Sequence, residues 1–160
     1  MKNAVFKLVH NVGICVHNAR NPNKQEWDAY LEMSAAMRDA AAGDFASFKQ
    51  IVFTDGGGPS MAQRTASSSL AKGRKDVDKL KVAVVSRSIV VRGIVTWFRW
   101  VGLPLRSFAP EQLAQAFAFL AISDAEAMDL CIAVEELCAT MNGPVRSASW
   151  VAAHRAKLGG

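Results

Sequence analysis

The chain has 160 residues, of which 51% are hydrophobic and 21% charged, with a formal net charge of +5. That length suits one domain with a full-sized core, and the apolar content excludes a disordered chain. No uncharged apolar run reaches membrane-spanning length, and the N-terminus MKNAVFKLVHN lacks the apolar core and cleavage region of a signal peptide. Together these imply no membrane insertion and a cytoplasmic location.

The charge is uneven. Residues 51–109 hold ten Lys/Arg and three acids, whereas residues 110–145 hold six acids and no Lys/Arg. This split predicts a basic face beside an acidic helix pair, and a basic face attracts acidic proteins or nucleotides. No nucleic-acid-binding motif accompanies it, which argues against nucleic acid as a partner. Cys15, Cys131 and Cys138 are widely spaced and sit in apolar patterns, as buried free thiols do. No CxxC pair or Cys/His cluster is present, so neither a metal nor a cofactor is expected.

In chain order, Val5–His10 and Gly13–His17 predict two antiparallel strands joined at Asn11-Val12-Gly13. Asn23 followed by Glu26 has capping-box spacing and opens a helix that runs to Ala42. Phe48–Phe53 predicts the next strand. Pro59–Lys72 predicts a second helix, with Ala62, Ala66 and Leu70 toward the sheet and Gln63 and Arg64 outward. Val82–Val85 reads as a strand buried on both faces. Ser88–Val101 is most economically a helix, although its Ile/Val content also permits a strand; as a helix it has two apolar stripes, the second formed by Val90, Gly93, Trp97 and Trp100. Leu105–Phe108 is a short strand, and Pro110 opens a helix with Leu113, Ala116, Phe117 and Leu120 on one face. Ser123 with Glu126 caps a final amphipathic helix. Residues 1–144 then form one domain, and 145–160 a loose tail or docking segment. Alternating strands and helices imply an α/β fold with a mostly parallel sheet.

The most informative stretch is IVFTDGGGPSMAQR, residues 51–64. An apolar strand ends at Thr54-Asp55 and passes through Gly56, Gly57 and Gly58, which tolerate the backbone angles of a strand-to-helix turn. Pro59 suits the first position of the helix. Backbone N–H groups should converge there, facing outward beside Asp55 and the hydroxyls of Thr54 and Ser60.

Over roughly residues 5–121 this order resembles the STAS domain (sulfate transporter and anti-sigma factor antagonist), and more closely its SpoIIAA-like relatives. The carriers are FTDGGG at 53–58, KVAVVS at 81–86 and RSFAPEQLAQAFAFL at 106–120. The resemblance implies a non-catalytic signalling module that docks another protein, such as a kinase, through Thr54, Asp55, Gly56, Gly57, Gly58, Ser60 and Arg64. Gly56 and Gly57 stand where that family carries its phosphorylated Ser or Thr. Thr54 and Ser60 are the nearest hydroxyls, and a phosphate on Ser60 would sit at a helix N-terminus.

Three other readings remain open at this point. A small molecule or lipid would lie between the sheet and the Trp97/Trp100 helix, or that apolar stripe would drive self-association. The glycine turn would cradle a phosphate group, although neither GxGxxG nor GxxxxGK[ST] is present. An enzyme would draw on Ser60, His17 and Asp55, but no GxSxG elbow supports this.

Overall fold

The computed structural model describes residues 1–41, 44–71, 79–89, 91, 95 and 104–160. Five strands, β1 (Ala4–Val9), β2 (Val12–His17), β3 (Lys49–Thr54), β4 (Lys81–Val85) and β5 (Leu105–Phe108), form one sheet in the order 1-2-3-4-5. β1 and β2 are antiparallel, and every later pairing is parallel. The architecture is α/β, as the alternation of strands and helices predicts.

Val9 pairs with Val12, which leaves a two-residue turn at His10-Asn11. The expected turn at Asn11-Val12-Gly13 therefore lies one residue too late, and Val12 belongs to the strand. His10 carries the turn in the left-handed region, at φ 52°.

Successive side chains of each strand address opposite faces. On one face, Val12, Ile14 and Val16 of β2, Ile51 and Phe53 of β3, and Ala83 and Val85 of β4 pack against α3 (Leu113–Phe119), α4 (Asp124–Ala139) and α5 (Val151–Gly159). On the other, Cys15 packs with Met33 and Met37 of α1 (Lys24–Ala41). Val82, Val84 and Leu105 pack there against the helical residues Val91 and Val95. β2 is buried along its whole length, because both layers cover it.

Both predicted capping boxes form. Ser123 Oγ accepts from Glu126 N, and the Glu126 carboxylate accepts from Ser123 N, at the start of α4. At α1, Asn23 Oδ1 accepts from Glu26 N (2.9 Å), and Glu26 Oε2 accepts from Asn23 N (2.8 Å). Glu26 also takes the Asn3 N–H on its second oxygen (2.8 Å), so one buried side chain fixes both the helix start and the chain ahead of β1.

α2 (Met61–Ala71) departs from expectation in two ways. It starts after Ser60 instead of at Pro59. Its Ala62 and Ala66 are exposed, whereas Gln63 and Arg64 are half-buried. Gln63 turns inward because its side chain completes a cap with Ser60 and reaches the Pro22 carbonyl. The segment 145–160 is not a loose tail. A 3₁₀ turn, Arg146–Ala148, leads into α5, which lies along α4 with Val145, Ser147 and Val151 buried and Arg155 paired with Glu135 at 3.1 Å. Residues 72–78, together with Trp97 and Trp100, lie outside the described residues.

Replacing Glu26 by Ala removes the α1 cap and the anchor of Asn3 together. The expected loss is about 2 kcal/mol in denaturant unfolding, with faster exchange of the β1 amides.

Candidate functional site

The turn after β3 is a polar junction closed from three sides. Thr54 is buried, and its hydroxyl donates to the Gly57 carbonyl (2.7 Å) while accepting the Gly56 N–H (3.2 Å). Gly56 needs its glycine character, at φ 118°. The Gly57 N–H donates to the Asn18 carbonyl (2.9 Å) at the exit of β2. A Cβ at Gly57 would stand 2.2 Å from the Arg20 carbonyl oxygen and 2.3 Å from that of Asn18, closer than any side chain permits. Gly58 is buried as well.

Asp55 reaches across to the C-terminal segment. Its carboxylate accepts the backbone N–H groups of Arg146 and Ser147, both at 2.7 Å. These two donors open the 3₁₀ turn, so the carboxylate satisfies them as a cap would. Ser60 caps α2 in the same manner: its hydroxyl accepts from Gln63 N (3.2 Å) and its N–H donates to Gln63 Oε1 (2.7 Å). Arg64 folds back, Nη1 donating to the Pro59 carbonyl (3.1 Å).

The expectation of outward-facing amide donors therefore fails for a physical reason. The N–H groups of Gly56, Gly57 and Ser60 are taken by Thr54, Asn18 and Gln63, and Asp55 faces the 3₁₀ turn. A phosphate at this turn would have to displace those partners. Thr54 is buried and Asp55 is committed to the 3₁₀ turn, although Asp55, like Ser60 and Arg64, keeps partial exposure. A kinase reaches the Thr54 hydroxyl only by opening the turn.

Asn18 is the member of the junction that its sequence surroundings do not flag. Its backbone accepts from Gly57, its Oδ1 accepts from Arg20 N (2.8 Å), and its Nδ2 donates to Asn3 Oδ1 (3.2 Å). A polar residue directly after a fully buried strand was the available signal.

Ser60, His17 and Asp55 are engaged separately. His17 is buried, its Nδ1 has no hydrogen-bond partner, and its ring meets Phe6 edge-on at 5.4 Å. Burial pushes its pKa down to about 4, against a smaller upward pull from Glu26. Burial likewise pushes the Cys15 thiol up to about 12 and those of Cys131 and Cys138 up to about 11, which keeps them protonated at neutral pH. Among the described residues no group of three His, Cys, Asp or Glu is placed to hold a metal ion, and no helix is long and apolar enough to cross a membrane.

Two large apolar side chains stand in solvent at the same edge of the sheet. Met61, the first residue of α2, is 75% exposed, and Ile89 is 80% exposed. Each follows the exit of its strand, β3 or β4, and those strands are neighbours. Comparison with protein-family models, with curated proteins and with solved structures gives no match.

Two measurements check the junction. Gly57→Ala should destabilise the chain by at least about 2 kcal/mol in denaturant unfolding, because both clashing atoms are backbone. The unfolded His17 imidazole titrates near 6.5 and the folded one near 4. Acid therefore protonates the unfolded chain first. Stability should fall as the pH drops from 6.5 toward 4, by up to about 1.4 kcal/mol per unit from this group. His17→Gln should flatten that limb of the profile between pH 6.5 and 5, above the main carboxylate titrations.

Proposed function

We propose that this chain is a non-catalytic, SpoIIAA-like signalling module that binds another protein through the edge where α2 begins. The order of strands and helices agrees with that kinship, as does the strand–Asp–glycine turn that leads into α2. The observation that carries the reading is the exposure of Met61 and Ile89 side by side in the topology. Exposed large apolar side chains that share an edge mark interaction surfaces more often than scattered ones do.

In this reading the glycine turn is the frame and not the contact. Thr54, Asp55, Gly57 and Gly58 hold the start of α2 in place, while Ser60, Met61 and Arg64 meet the partner, with Ile89 beside them. A preformed edge of this kind spares the ordering cost of binding. A phosphate on Ser60 would add charge at the rim of the same surface and so regulate docking.

Met61→Glu and Ile89→Glu place carboxylates on this edge without touching the core. Each should remove a specific co-purifying protein, identified by quantitative mass spectrometry, while leaving the melting temperature within a few degrees. Ile132→Glu, on the outer face of α4, serves as the control and should retain it. Identical partner sets for all three variants and the wild type would overturn the reading.

A further inference from the structure

The connections that leave β4 and β5 part company. After β4 the chain passes to the face where Val91 and Val95 pack with Val82, Val84 and Leu105. After β5 it passes to the opposite face, where Leu113, Ala116 and Phe117 pack with Ala83, Val85 and Phe108. Neighbouring parallel strands whose exits diverge in this way leave a crevice at their carboxyl ends, the place where open α/β sheets bind ligands. A cleft of about 380 Å³ opens there, within the range of small-molecule sites.

Ser86, Arg87, Ser88, Ser107, Glu111 and Gln112 supply its polar lining. Their chemistry is weighted toward donors. Ser86 Oγ already accepts the Ser88 N–H (3.1 Å), which leaves its hydroxyl proton to give. Gln112 Oε1 already accepts the Ala109 N–H (2.9 Å), which leaves its NH₂ group to give. Arg87 adds a guanidinium fork suited to carboxylate or phosphate oxygens. Glu111, the one anion among the described lining residues, rests on Arg87 through a single contact of 3.2 Å, with the two side chains 48% and 66% exposed. A pair so open to water contributes little and exchanges readily.

We propose that this crevice binds a small molecule through an oxyanion group, carboxylate or phosphate, with Arg87 as the anchor and Glu111 as the internal competitor that the ligand displaces. The proposal does not rest on the docking edge. It predicts opposite effects from the two members of one ion pair, which a merely structural pair would not give.

The test titrates the full chain with inorganic phosphate and, separately, with succinate at low ionic strength. Amide chemical shifts and calorimetry follow wild type, Arg87→Gln and Glu111→Gln. At least one anion should bind saturably, with shifts concentrated at residues 86–89 and 107–112. Arg87→Gln should weaken it by about tenfold, and Glu111→Gln should tighten it. Saturation by phosphate alone assigns a phosphate-bearing ligand, by succinate alone a carboxylate, and by both the shared oxyanion. Should Arg87→Gln unfold, Arg87→Lys, which keeps charge and loses the fork, takes its place with weaker binding expected. Absence of saturable binding, shifts spread over all basic residues, or equal responses from both variants would overturn the proposal.

Discussion

The closeness of two backbones at Gly57 is the constraint on which the rest of this structure depends. The exit of β2, at Asn18 and Arg20, and the exit of β3 can share one polar junction only because no side chain separates them. That contact directs the chain from β3 into α2, and Ser60 then sets the helix register through Gln63. The positions of Met61 and Arg64 follow from it. Glycine here serves close approach as much as backbone freedom, and only the neighbouring Gly56 requires a positive φ.

Around this junction, side chains repeatedly complete backbone groups from distant segments. Glu26 binds the N–H of Asn3 as well as its own helix start, and Asp55 binds two N–H groups of the C-terminal turn. Buried polar backbone must find partners, and here carboxylates supply them with charge-assisted strength. Among the described residues His17 Nδ1 and Ser147 Oγ are the exceptions, both buried without a hydrogen-bond partner. The carboxyl edge of the sheet is thus closed by hydrogen bonds at β2 and β3 and opens into a cleft at β4 and β5, where the exits diverge.

Local grammar was readable in the sequence. The Asn23/Glu26 and Ser123/Glu126 boxes lie within single turns, so their donors and acceptors are named by neighbouring residues. Along β1 the period of two separates Phe6 and Leu8, which pack toward α1, from Lys7 and Val9 on the opposite face. The orientation of α2 is not legible locally: helical spacing puts Ala62 and Ala66 toward the sheet, whereas Gln63, reaching the Pro22 carbonyl 41 residues away, turns inward and leaves them exposed. The partners of Asp55 were invisible because backbone amides carry no residue identity. Residues 151–159 do carry a helical signal, since VAAHRAKLG is rich in good helix formers.

The pairing of Asp55 with Arg146 and Ser147 also sets an order of events during synthesis. The carboxylate emerges 91 residues before its first donor, so the nascent sheet is assembled while this acceptor still faces water. Closure across so long a stretch of chain is entropically late. A ribosome stalled ahead of codon 146 would leave the Asp55 carboxylate without the two N–H donors that it holds in the finished chain.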